Sequence, residues 1–212
     1  MEVNGKKYKI KPFARLHNAV LSGADLSKAD LRAANLENAN LEYANLSGAN
    51  LGFACLSRAN LSHANLSHAD LSNANLDGPK LSFKNIGKGN LQYPNQGSAI
   101  LQSANLENAN LEGAKLVGVD LRNANLENAN LQKVDLSYAK LAGANLSHAD
   151  LSHAVLSGAD LSKADLSKAD LSGANLRDVN LTGATMPDGT RFNSLKEEMS
   201  PKEQKRIELP GV

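Results

Sequence analysis

The stretch Ala24-Asp25-Leu26-Ser27-Lys28-Ala29-Asp30-Leu31-Arg32-Ala33-Ala34-Asn35-Leu36 puts a leucine on every fifth residue and an alanine two before it. The pattern runs outward in both directions, from Leu16 to Met186, without slipping phase. Of the 35 windows centred on 16, 21, 26 and onward, 32 hold Leu, so the period itself decides the fold. The exceptions are Ile86, Gln96 and Met186. Val119, Val134 and Val179 replace the alanine in three windows. Internal repeats are read first because they override local propensity.

Five matches neither the helical period nor the strand period. A continuous helix would rotate successive leucines by about 140° and smear them around its surface. A flat strand would flip each one to the opposite face, because five is odd. The chain must turn within every unit so that all Leu and Ala point to one side. Stacked coils closed by such turns satisfy this, and the Asn, Asp, Ser and Gly between the apolar slots supply the turn chemistry. Leu beside Ala is a large-small pair that tiles a narrow interior.

Ala-(Asn/Asp)-Leu-x-x in unbroken tandem resembles the pentapeptide-repeat family, over roughly four fifths of the chain. The resemblance implies an all-β fold, a right-handed quadrilateral β-helix with four pentapeptides per coil. On that basis the repeats make about nine coils, and at ~4.8 Å per layer the rod is ~42 Å long. Neighbouring coils must stabilise one another, as in any linear array.

Three regions follow. Residues 1–13 form an N-terminal cap, because Asn4-Gly5 between β-prone runs is a hairpin signal. Residues 14–186 form the β-helix. Residues 187–212 form a C-terminal turn, Met186-Pro187-Asp188-Gly189-Thr190, and a short helical cap. Ser194-Leu195-Lys196-Glu197 and Ser200-Pro201-Lys202-Glu203 match capping boxes and predict short helical turns near 195–199 and 201–208. Leu195, Met199, Ile207 and Leu209 would cover the last coil or form a contact between two copies. The protein is thus expected as a monomer or a homodimer through its C-terminal end.

The repeat is broken between 78 and 100, where Pro79, Lys84, Gly89 and Pro94 fill inward slots and Gln96 replaces a central Leu. Lys84 cannot lie unpaired in a leucine core. Either one coil is degenerate, or one coil's length of chain is extruded and the flanking coils stay in phase for that reason. A mixture is expected, with coil kept near Leu81 and Ile86 and an excursion over 87–98.

Chemistry is sparse. No phosphate loop, zinc-protease helix or cysteine pair is present, so no catalytic residue, cofactor or metal is expected and the chain is read as a non-enzyme. His63 with His68 and His148 with His153 recur five apart, but the pairs lie about four coils from each other, too far for one metal site. The Asp and Asn before each Leu are expected to bond to the turning backbone. Cys55 stands alone and should face outward, which fits a reducing, cytoplasmic setting. The N-terminal sequence has no apolar core of a signal peptide, and no stretch is apolar enough to span a membrane.

Net charge is +1, but residues 1–15 carry +4 and the repeats −3. No like-charge block suggests a nucleic-acid tail, so direct nucleic-acid binding is not expected. Folded by 20, the sequence puts Tyr43, His63 and Phe83 in one outward column and Phe53 and Tyr93 in another, on the opposite side. With Lys84 and Lys88 they form a candidate interaction patch beside the break. The function expected is a structural module that presents a rod to an unknown protein partner.

The alternative comes from the resemblance: some family members mimic duplex DNA and protect a type II topoisomerase (gyrase) from inhibitors. The most acidic side here, Asp30, Arg32, Asp70, Glu112, Lys133, Asp150 and Asp170, is only −3. DNA of that length carries about 25 charges. Centres are also Leu where quinolone-resistance members commonly have Phe. Ice binding needs a regular ladder, and the slot Ser22, Glu42, Ser62, Ser82, Gln102, Arg122, Ala142 is irregular.

Overall fold

A computed structural model describes residues 1–3, 5–77 and 98–192. Its repeats form parallel bridges between positions 20 apart, as in Arg15↔Asn35↔Cys55↔Asn75, so each coil has four five-residue sides. The first side carries that column, continuing through Lys115 to Asn175. The second runs Val20, Asn40, Asn60, Ile100 to Asn180, the third starts at Asp25, and the fourth starts at Asp30. Leu and Ala fill the interior: from Leu31 to Leu166, every central Leu among the described residues is 0% exposed. Each such leucine contributes roughly 2 kcal/mol by burial.

One unit shows how the corner is made. In Ala34-Asn35-Leu36-Glu37-Asn38, the Ala34 N–H closes a turn onto Leu31 O (3.0 Å). Asn35 N–H reaches Ala14 O in the layer below (2.9 Å), and Leu36 and Asn38 donate to Cys55 O and Ser57 O in the layer above. Glu37 N–H points into the corner and has no backbone partner; Asn35 Oδ1 accepts it at 3.0 Å. That is why Asn or Asp precedes the Leu. The residue two after the Leu takes a left-handed conformation, such as Asn38 at φ 55°, as the third residue of a type II turn does.

At the ends of the rod other groups take over from the ladder. The expected hairpin pairs Glu2↔Lys7 and Val3↔Lys6. Val3, Tyr8 and Ile10 pack against the leucine core. Tyr8 hydroxyl accepts the Val20 N–H (3.0 Å) on a rung with no coil beneath it. At the other end the turn at Met186–Thr190 forms, and Arg191 pairs antiparallel with Thr185. The expected helical turns, with Leu195, Met199, Ile207 and Leu209, lie outside the described residues.

At the break the ladder changes step. Asn60 bridges Ile100, Asn65 bridges Asn105, Asp70 bridges Asn110 and Asn75 bridges Lys115, so the step of 20 becomes 40. The flanking layers pair directly, and Leu81, Ile86 and residues 87–97 lie outside the described residues. Ala99 N–H closes onto Leu76 O (3.0 Å), the bond that an uninterrupted corner makes between residues three apart. The longest described column therefore has eight layers, one fewer than the coil count expected from an unbroken repeat. Ser98, Ala99 and Ile100 belong to the ladder, which narrows the break to 78–97. Its two ends grip one residue of the next layer: Asp77 Oδ1 accepts Val117 N–H (2.8 Å), and Ser98 Oγ donates to Val117 O (2.9 Å). Val117 is where Lys115 replaces the usual Asn or Asp.

Joining Asp77 directly to Ser98 should therefore leave the β-rich circular dichroism intact and Tm unchanged or slightly raised, since a closed loop costs about (3/2)RT ln n. In the same rod Leu111→Ala should lose about 2–5 kcal/mol in denaturant melts.

Candidate functional site

The second side and its two corners collect the surface departures from the repeat. The corner before it holds Asp77 and Ser98, the described residues that border the break. The corner after it holds Tyr43 and His63, whose rings stack at 4.9 Å with 7° between planes. Between them stand Val20 and Ile100, 38% and 43% exposed, among Asn40 and Asn60. In the lower four layers Glu42 follows the side's own leucines, and the corner before the side carries Glu37, Arg58 and Asp77. The upper layers carry both signs, at Asp120, Arg122, Lys140, Asp160 and Lys163.

The column expected above the pair is not continued by Phe83. His63 N–H donates to Gln102 O, so Ser103 occupies the next position. Phe83, Lys84, Lys88 and Tyr93 lie outside the described residues. Phe53 is 69% exposed, but sits at the diagonally opposite corner and does not join Tyr43. Its column is Phe13, Ala33, Phe53, Asn73, because Phe13 N–H donates to Arg32 O and Ala33 N–H to Gly52 O. Sequence reasoning named Phe53 in this column but missed Phe13, which precedes the first full unit. It also missed Tyr138, 53% exposed, whose ring lies where a Cβ at Gly158 would come within 2.7 Å.

The histidines have a backbone explanation. His63, His68, His148 and His153 all stand at the left-handed corner position, φ 58–59°, where His, Asn and Asp are enriched among non-glycine residues. No group of three potential metal ligands is found among the described residues. Cys55 is half-buried, with its Sγ 3.8 Å from Ser57 Oγ.

The aspartates are occupied by the backbone as expected. Asp25 is held below the ordinary carboxylate range by hydrogen bonds from the side chain and N–H of Ser27, and Asp188 likewise by Thr190. Arg32 lowers Asp30 through a 2.7 Å ion pair. At Asp120 burial pushes upward, but the Arg122 side chain and N–H prevail and the carboxyl is lowered. Asn side chains also bond between layers, as in Asn145 Nδ2 to Asn125 Oδ1 (3.0 Å) and Asn125 Nδ2 to Asn105 Oδ1 (3.2 Å). No helix among the described residues is long and apolar enough to cross a membrane.

Pentapeptide repeats match this chain as a family in eight copies, over residues 14–52, 54–87, 99–137, 129–167 and 139–178. No curated protein matches by sequence. Among solved structures, it is similar to HetL, a pentapeptide repeat protein involved in heterocyst differentiation regulation from the cyanobacterium Nostoc sp. strain PCC 7120. Identity is 32%, covering 88% of this chain and 94% of that one, with a TM-score of 0.34. Rfr23 from the cyanobacterium Cyanothece 51142 is 32% identical over 63% of this chain and 91% of its own, at TM-score 0.52. QnrB1, a plasmid-mediated fluoroquinolone resistance protein, is 20% identical over 86% of this chain and 88% of its own, at TM-score 0.56.

Depressed carboxylates fix the sign of the acid response. Their contribution is present above the unfolded-state value of about 3.9 and is lost as pH falls through the lower folded values. Tm should be flat above about pH 5 and fall below pH 4. Replacing Asp25, Asp30, Asp120 and Asp188 together by Asn, which keeps an Oδ1 acceptor, should flatten that fall in thermal melts across pH.

Proposed function

Because this chain belongs to the pentapeptide-repeat family, whose fold is the right-handed β-helix, we propose that it is a non-enzymatic interaction module whose second side receives a protein partner. One observation carries the reading: the stacked Tyr43–His63 pair, the exposed Ile100 and the break between Asp77 and Ser98 border one stretch of that side, in whose lower layers only Glu42 among charged residues follows the side's own leucines. Interface cores are depleted in charge and enriched in aromatic rings. Phe83, Lys84, Lys88 and Tyr93, which follow Asp77 in sequence, are proposed to join this patch.

The second reading, a DNA mimic acting on a type II topoisomerase, has the QnrB1 fold in its favour. Electrostatics weigh against it. On the fourth side Asp30 is paired with Arg32 and Glu112 with Lys133 at 3.1 Å. Asp70, Asp150 and Asp170 remain, where duplex DNA would set a charge about every 1.7 Å.

Immobilised wild-type protein should capture a defined partner from host lysate. Tyr43→Ala with Ile100→Lys should reduce that capture roughly tenfold without moving Tm, the loss expected when an interface centre is removed. Equal capture by both proteins would sink the assignment of the second side. In a gyrase supercoiling assay with a fluoroquinolone, stoichiometric protein is expected to give no protection; protection would favour the DNA mimic.

A further inference from the structure

The N-terminal segment alternates in a way the repeats do not. Tyr8, Ile10, Ala14 and Leu16 turn inward, while Lys7, Lys9, Lys11, Phe13 and Arg15 are exposed. These five outward residues line one open hollow at the end of the rod. Among the described residues, none of the four cations is in an ion pair. No acidic side chain lines the hollow.

Phe13 is 76% exposed and opens onto the corner column Phe13, Ala33, Phe53. The two phenylalanines stand two layers apart, about 9.6 Å, with only a methyl group between them. The column thus offers a notch one bulky side chain deep, next to the cations. Arg32, beside Ala33, is already neutralised through bonds of 2.9 and 2.7 Å to Asp30. A backbone donor completes the site. Asn35 and Cys55 each donate their N–H to the layer on the N-terminal side. By the same geometry the Arg15 N–H points off the end of the rod, where no coil receives it.

We propose that this end binds an acidic peptide segment of a protein partner in extended form. Its carboxylates would meet Lys7, Lys9, Lys11 and Arg15, one bulky apolar side chain would enter the Phe13–Ala33–Phe53 notch, and its backbone would pair with the open edge at Arg15. Strand addition at a free edge is a recurrent mode of peptide capture. A peptide fits better than a nucleic acid for two reasons. The excess positive charge is concentrated in residues 1–15, and the repeats beyond carry −3, so a long polyanion would be repelled once it left the hollow. A main-chain N–H at a sheet edge is matched by a peptide carbonyl.

The inference rests on reading the rod as a protein-interaction module, but it uses the end of the rod and not its second side. The probe is a fluorescein-labelled peptide of alternating glutamate and leucine with one central phenylalanine, followed by fluorescence anisotropy. Binding should weaken as salt is raised. It should fall roughly tenfold in Lys9→Glu with Lys11→Glu, and about fivefold in Phe13→Ala, with circular dichroism melts unchanged. Tyr43→Ala with Ile100→Lys should bind the probe as wild type does, so failure at one surface leaves the other standing. No binding of the acidic peptide, or equal binding by the Lys9 and Lys11 variants, overturns the proposal. So does tighter binding of a ten-residue oligothymidylate, which would make the end a nucleic-acid site.

Discussion

The hydrogen bond from the corner N–H to the side chain two residues earlier, made wherever that residue is Asn or Asp, is the contact on which this molecule depends. A chain that turns every five residues cannot pair that donor with a neighbouring layer, because it points into the turn. Left unmet, each would cost on the order of 1–3 kcal/mol where it is shielded from water, and the cost would recur at every unit. The side-chain oxygen removes it locally, and the four other N–H groups are then free for the turn and the ladders. Among the described units that lack Asn or Asp there, one shows a substitute. Val117 follows Lys115, which has no such oxygen, and its N–H takes Asp77 from across the break. The ladder N–H of Val20, with no layer beneath to receive it, takes the Tyr8 hydroxyl.

The interior was legible because burial is a one-residue property repeated in register. Leu and Ala at fixed offsets could only be satisfied by an inward face, and from Ala34 to Leu166 every one at those offsets among the described residues is buried. The hairpin around Asn4-Gly5 and the reversal at Pro187-Asp188-Gly189 were legible from turn chemistry. The outcome at the break was not. An extruded segment and a degenerate coil of the same length leave the same phase downstream, so periodicity alone could not separate them. What the bridge from Asn60 to Ile100 adds is that the layers on either side pair directly. Every surface column crossing the break changes with it, which is why Ser103 and not Phe83 follows His63.

The same corner geometry thins the list of candidate sites. Histidines recurring five apart suggest chemistry until the left-handed backbone at each is seen; His, Asn, Asp and Gly are the residues that conformation favours. Asp beside Asn in the ladders looks like paired carboxylates until their oxygens are found on backbone N–H groups. What periodicity demands of the backbone therefore accounts for most of the polar surface. Little is left over to be explained by recognition.

Aromatic residues at the left-handed corner are part of that remainder. A side chain with a Cβ is strained there by roughly 1–2 kcal/mol relative to glycine, and bulky residues have no local hydrogen bond to compensate. Tyr43 offsets the strain by stacking on His63, and Tyr138 by lying across Gly158, where the missing Cβ leaves room for its ring. Phe13 and Phe53 stand at φ 59°, are more exposed than either tyrosine, and have no ring partner among the described residues. Neither backbone preference nor packing within the rod explains them. Both stand in the column beside the cations of the N-terminal end, where the proposed peptide would cover them.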